Sequence, residues 1–403
     1  MKSLSKILSL LLSILIFSCK GYLEPIEYST TYKFNSAIEA DFKNDSTQRK
    51  YQIAASEYAL KGDYRNALKY WDAGWNSKET NWKQKQIDSI NKVYTKIDAI
   101  EYIINESEKH EIIIINEAHH NSYHRFFTKS LLKKLYDKGY RNLGLEALFY
   151  TDNLDSLNHI RKYPIQKTGY YTADPQFGNL IREAIHLGFY VFPYETENEG
   201  SDGYQREIDQ AKNIQAYLNR NKGKTIIHCG YDHAMEGKHS SWEKAMAERV
   251  KEYTQKDPLT INQTVFSEKS DNKFNHPMLK AIQPEKAVVL IDSLEKSYSL
   301  KRNESYFDLP IFQKNTYYEN NRPDWLFTNG NKKVEIPLDN INAKYPIMIL
   351  AYHHDENIKE AIPVDITEVQ NNNEKCILGL EKGKYKIVIT DGTKSFLLTK
   401  KVN

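Results

Sequence analysis

A carboxylate two residues before an imidazole, at the end of a run of four isoleucines, is the part of this chain best suited to chemistry. Glu117 and His119 follow Ile112-Ile113-Ile114-Ile115-Asn116. If the run is a strand and its pleat persists, both side chains point the same way. The carboxylate can then orient the ring, hold its tautomer and raise its basicity, which suits a general base. The same pair can ligate zinc, manganese or iron. His120 would face away, and His124 falls in the first turn of the next helix, from where it can point back over the strand end. A lone histidine there would be read as a cap; three in six residues after a buried strand favour function.

Three further segments end in the same manner. Leu143-Gly144-Leu145 runs into Glu146, and Phe189 to Tyr194 runs into Glu195, with Glu197 as a rival two residues on. Thr225 to Tyr231 runs into Asp232 and His233 through Gly230, which permits a sharp turn or a close approach of backbone to ligand. His228 and Cys229 lie within that strand and read as core. A buried carboxylate seldom stays unpaired, so Glu146 and Glu195 each call for a histidine or arginine partner. Arg206 can be that partner or hold an anionic substrate group.

Helical patterns separate these strands, which gives an α/β fold class: a parallel-sheet core with flanking helices. Ligands in such sheets bind outside the carboxyl ends of the strands, so the four acidic or imidazole-bearing ends should converge on one pocket. Asn121 or Ser122 caps the first helix and Gly139 ends it; a second helix stops at Gly188. A loop carrying Tyr170, Tyr171 and Asp174 lies between them. The α/β region spans 111–330. Before it, residues 46–110 read as an N-terminal helical hairpin resembling one tetratricopeptide unit, with Gly62-Asp63-Tyr64 as its turn. One repeat cannot bury its own face, so the hairpin should pack on the main domain. Residues 331–403 alternate without helices and suggest a small C-terminal β-sandwich. Its Tyr352-His353-His354-Asp355-Glu356 run reads as edge or loop rather than a metal site.

The first residues bear on location. Lys2 and Lys6 precede an apolar stretch, and Ile16-Phe17-Ser18-Cys19 follows, which describes a secretory signal over 1–19. The cysteine resembles the lipobox of bacterial lipoproteins, which implies lipidation at Cys19 and a lipid-anchored place in the bacterial cell envelope, with 20–45 as a tether. Multiple acyl chains anchor firmly. The formal charge of +3 over 403 residues falls close to neutral without the two leader lysines, so there is no electrostatic case for nucleic acid. Cys229 in a buried strand argues against a disulfide framework. His-Glu-x-x-His, Gly-x-x-x-x-Gly-Lys and Gly-x-Ser-x-Gly are absent, which argues against zincin peptidases, P-loop enzymes and α/β-hydrolase esterases.

At these residues the chain resembles the superfamily uniting erythromycin esterases, ChaN-like haem-binding lipoproteins and Tiki metallopeptidases. IIIINEAHHNSYHRFF is similar to its first block, GLEAL to the block that delivers a glutamate, and REIDQAKNIQAYL followed by TIIHCGYDHA to the helix and strand that deliver a second histidine. The family's first block opens with glycine, where this chain has Asn116, a residue that tolerates left-handed backbone better than most. The resemblance covers about residues 111–270. It implies Glu117, His119, Glu146 and His233 as essential positions, with Arg206 as accessory. The expectation is a hydrolase of ester or peptide bonds, with His119 or His233 activating water, Glu117 and Glu146 orienting them, and Arg206, His124 and Glu195 toward the substrate. A divalent transition metal on His119, His233, Glu117 and Glu146 is an open alternative, as are haem or iron binding through a histidine or tyrosine and a non-catalytic docking lipoprotein. The ligand would be a small molecule, a peptide or haem.

Overall fold

The computed structural model describes residues 23–198, 200–338 and 341–403; the leader and Cys19 lie outside them. β1 (Glu24–Ile26) pairs antiparallel with the last strand of the chain. α1 (Asn35–Asn44) buries Ile38 in a cluster with Ala54, Tyr58, Ala59 and Ala67. From Glu24 onward, the segment expected to be an irregular tether is therefore largely part of the folded body. Its apolar anchors (Leu23, Ile26, Tyr28, Tyr32, Phe34 and Ile38) are spaced too unevenly to read as periodic.

α2 (Lys50–Leu60) and α3 (Tyr64–Gly74) form the expected hairpin. Gly62 turns the chain at φ 77°, where a side chain is disfavoured. Asp63 caps α3 by accepting the Asn66 N–H at 3.2 Å. α4 (Gln84–Val93), β2 (Thr95–Asp98) and α5 (Ala99–Glu106) then lead into the α/β region.

That region contains β3 (Ile112–Glu117), α6 (Ser122–Asp137), β4 (Tyr140–Leu145), α7 (Pro175–Leu187), β5 (Tyr190–Pro193), α8 (Gly203–Arg220), β6 (Lys224–Gly230), α9 (Met246–Thr254), β7 (Leu259–Asn262), β8 (Val288–Ile291) and β9 (Leu309–Pro310). Six of these strands form one parallel sheet, ordered β9-β7-β3-β6-β4-β5. β8 instead pairs with β2. The isoleucine run is explained by burial on both faces. Ile113 and Ile115 pack with Leu131, Phe177 and Ile181, while Ile112 and Ile114 pack with Ala211, Ile214 and Met246. Burying each such side chain contributes roughly 2 kcal/mol.

The sequence's punctuation is where the helices begin and end. Asn121 caps α6, accepting the Tyr123 N–H at 3.2 Å. Asp174 caps α7, whose first residue is Pro175, and Gly188 closes it at φ 98°. Consequently β3, β6, β4 and β5 lie side by side and parallel, with their carboxyl ends along one edge.

The C-terminal part holds β10 (Lys332–Ile336), β11 (Ile347–His353), β12 (Asp365–Val369), β13 (Cys376–Leu380), β14 (Gly383–Thr390) and β15 (Ser395–Val402). A five-stranded antiparallel sheet runs β1-β15-β14-β11-β12, and β10 pairs with β13 in a ribbon. Alternation along β11 sends Ile347, Ile349 and Ala351 toward the ribbon, and Met348, Leu350 and Tyr352 toward Tyr32, Leu60 and Ile362. Glu356 pairs with Arg182 of α7 at 2.7 Å through both guanidinium arms, so the run after Tyr352 ties the sheet to the α/β domain. No helix among the described residues is long and apolar enough to cross a membrane. Cys229 and Cys376 are both buried and unpaired.

Candidate active site at the carboxyl ends of the parallel strands

Glu117 ends β3 almost fully buried, and its position is fixed by Arg125 of α6, whose guanidinium is wholly enclosed. Arg125 Nε donates to Glu117 Oε2 at 2.6 Å and Nη2 to Oε1 at 2.7 Å, while Nη2 also reaches the His119 carbonyl at 3.0 Å. Its Nη1 lies 3.1 Å from Asp174 Oδ2. Asp174 is itself held by Ser122 and by the first N–H groups of α7. Burial opposes charge on Glu117, yet Arg125, His228 and His119 outweigh it and hold the carboxyl well below the usual range.

That ionised carboxylate fixes His119. Nδ1 of the ring lies 3.0 Å from Glu117 Oε1, so the proton sits on Nδ1 and the Nε2 lone pair is left free. No described residue hydrogen-bonds Nε2, and the side chain keeps 21% of its exposure. Tyr171 stacks on one face of the ring at 4.0 Å, and Tyr231 meets it edge-on at 5.2 Å. Gly230 is needed for close approach rather than for its turn: a Cβ there would stand 2.5 Å from His119 Cε1 and 2.7 Å from Nε2.

Glu146 and Glu195, after β4 and β5, meet Arg206. Arg206 Nη2 donates to both carboxylates, Nε reaches Glu195 at 3.0 and 3.1 Å, and Nη1 donates to His233 Nε2 at 2.9 Å. The second oxygen of Glu146 accepts the Gly230 N–H. Burial works against the Glu146 charge, but His233, Arg206 and His119 bring its pKa down to about 2. Glu197, by contrast, is exposed, so Glu195 is the carboxylate that faces the site.

His233 is gripped from both sides. Nδ1 stands 2.6 Å from Glu207 Oε1, a fully buried carboxylate whose other oxygen accepts the Met246 N–H at 2.7 Å. The bond from Arg206 requires the neutral ring. A second proton would face Glu146 Oε1, 3.6 Å from Nε2. Burial disfavours that proton, but Glu146 and Glu207 raise the pKa above the ordinary imidazole value, with Arg206 opposing them.

The other histidines serve the scaffold. His124 is fully buried, and its Nδ1 accepts the Ala118 N–H at 2.9 Å; it lies beneath the loop and cannot meet a substrate as placed. Burial pushes its pKa down to about 3, and that of His228 down to about 4. His120 does face away from His119, stacking on Trp71 of α3 at 4.0 Å. Asn116 does not adopt the left-handed backbone expected of a glycine substitute. Instead its side chain is buried, donating to the Tyr231 carbonyl at 2.6 Å and accepting the Gln263 N–H at 2.8 Å. The left-handed residue is Tyr231, at φ 41°, a conformation that costs a non-glycine residue energy and recurs at functional sites.

The proposed metal set fits poorly. Both oxygens of Glu117 are taken by Arg125, those of Glu146 by Arg206 and Gly230, and both nitrogens of His233 by Glu207 and Arg206. Among the described residues no group of three or more His, Cys, Asp or Glu side chains is arranged to hold a metal ion. Two guanidinium groups stand where a cation would need those donors.

No protein-family model matches the chain, and no curated protein matches it. Solved structures show partial similarity. ChaN of Campylobacter jejuni, described with cofacial haem binding, is 12% identical over 46% of this chain and 95% of its own, with a TM-score of 0.32. The type III effector HopBA1 is 13% identical over 45% and 94%, with a TM-score of 0.27. RRSP, a MARTX toxin effector domain from Vibrio vulnificus CMCP6, is 12% identical over 53% and 44%, with a TM-score of 0.29. Likenesses at this level say nothing about chemistry.

Sequence reasoning named Glu117, His119, Glu146, Glu195, Arg206 and His233, and the structure brings all six to one edge. It missed Arg125, Glu207 and Trp71, and noted Asp174 and Tyr171 only as loop residues. A charged residue next to a named one (Arg125 beside His124, Glu207 beside Arg206) was the only signal available.

Proposed function

We propose that this protein hydrolyses an acyl bond, an ester or a peptide, with His119 as general base. The observation that carries the reading is the state of His119: its Nδ1 is fixed by an ionised carboxylate that Arg125 clamps, and its Nε2 is uncommitted. An imidazole so arranged is placed to act as a general base toward water. Glu146 Oε2, which accepts the Gly230 N–H, borders the same space beside Gly230 as His119 Nε2, and its second lone pair can accept the water's other hydrogen. Arg206 acts here as the brace that holds Glu146, Glu195 and His233 in register.

The test is a panel of chromogenic esters and fluorogenic peptides with wild type, His119→Ala and Glu117→Gln. Removing the base should lower kcat by about 10²–10⁴-fold, and Glu117→Gln by somewhat less. A wild type that cleaves nothing, yet binds haem one-to-one through His119, would replace this reading with the haem-binding one. We further propose an acyl anchor at Cys19 and hence a place at the cell envelope; Cys19→Ala should move the protein from the membrane fraction to the soluble one.

A further inference from the structure

Hydrolysis through a tetrahedral intermediate needs a donor for the oxygen that gains negative charge. The arginines cannot serve as placed. Arg125 is committed to Glu117, Asp174 and the His119 carbonyl, and Arg206 to Glu146, Glu195 and His233. The Gly230 N–H is held by Glu146. The Tyr231 hydroxyl turns toward His120, 3.4 Å from its Nδ1.

Tyr171 differs from all of these. Its ring lies parallel to His119, with centroids 4.0 Å apart and planes 15° apart, so its hydroxyl is carried alongside the imidazole. That hydroxyl makes no hydrogen bond to any described residue. The side chain is half-buried and close enough to Arg125, Glu117 and Glu146 to feel their charges; burial, the largest influence, raises its pKa and keeps the phenol protonated as a donor. Its position is built in. Tyr171 opens the short turn Tyr171–Ala173 that ends at Asp174, the residue that both caps α7 and receives Arg125. One loop thus sets the donor and the clamp on the base.

We propose that Tyr171 is a catalytic residue, its hydroxyl donating to the substrate carbonyl oxygen as that oxygen becomes an oxyanion. The proposal rests on the hydrolase reading. In the step, His119 Nε2 takes a proton from water and the water oxygen bonds to the carbonyl carbon. The C=O π pair moves onto oxygen, where Tyr171 donates a hydrogen bond. On collapse the pair returns, the bond to the alkoxide or amine breaks, and the leaving group takes the proton from His119. The products are an acid and an alcohol or amine, and no other reactant is needed.

Tyr171→Phe keeps the ring that stacks on His119 and removes only the donor. With the best ester of the panel, kcat should fall about 10²–10³-fold, the loss typical of a deleted oxyanion donor, while KM stays within about threefold. Affinity for the matching methylphosphonate, a transition-state analogue, should fall by a similar factor, and affinity for the carboxylate product should not. Tyr170→Phe, at the exposed neighbour, serves as the control. A kcat within threefold of wild type would overturn the role of Tyr171 and leave the hydrolase reading standing. A kcat loss with phosphonate affinity unchanged and the pH profile displaced would also overturn it, because Tyr171 would then act only by seating His119. A wild type that neither cleaves the panel nor binds any phosphonate would remove both readings together.

Discussion

His228 provides a quantitative test of how the site is built. It lies inside β6, 1% exposed, with Nε2 3.7 Å from Glu117 Oε2. Burial drives its pKa down to about 4, with Glu117 opposing and Arg125 assisting. In the unfolded chain the value is about 6.5. Between those values the unfolded state binds a proton that the folded state refuses, so stability falls as the pH drops through 6.5 and keeps falling toward 4. One proton corresponds to about 1.4 kcal/mol per pH unit, so from pH 6.5 to 5 this ring costs about 2 kcal/mol. Whole-protein stability will not show this cleanly. Buried Glu236 and Glu268, with pKa values raised to about 7, take up protons in the fold over the same range and pull the other way. The contrast between wild type and His228→Gln removes them. Urea unfolding followed by tryptophan fluorescence at pH 7, 6 and 5 should show the variant gaining about 2 kcal/mol on wild type between the extremes. A gap constant to within about 0.5 kcal/mol would refute the claim that His228 is held neutral beside an already saturated Glu117. A gap moving in the opposite direction would mean an imidazolium paired with Glu117.

Two further outcomes follow from packing and charge. Gly230→Ala should destabilise by about 1–3 kcal/mol, the usual cost of overpacking, and depress kcat far more than that implies, since the new methyl meets the His119 ring; thermal melts set beside ester turnover separate the two. Arg125→Lys should cost about 1.5–3 kcal/mol, because an ammonium cannot make both bonds to Glu117 at once, and a calorimetric stability equal to wild type would show that the two-armed clamp is not formed.

The strands and the ends that carry function were legible because burial on both faces leaves an unbroken apolar run, and a polar residue closing such a run has few structural excuses. Helix caps were legible for similar reasons: Asp174-Pro175 and Gly188 act locally. What escaped was partnership. Glu207 and Arg125 look like ordinary charged helix residues, and only the packing of α8 against α9, and of α6 over β3, encloses them. Asn116 was expected to do by its backbone what it does by its side chain. The ordered N-terminal segment escaped because each of its anchors is inserted singly between elements distant in sequence.

The pairing of β1 with β15 has a mechanical consequence. Only four residues lie between Cys19 and Glu24, a reach of at most roughly 18 Å for the five steps even fully extended. With the acyl group proposed at Cys19, that short leash would lead into β1, which pairs with β15 at the edge of the antiparallel sheet. The anchor as proposed would give the molecule a fixed underside, with that sheet edge toward the bilayer and a pull on the lipid borne as shear along the hydrogen bonds between the first strand and the last.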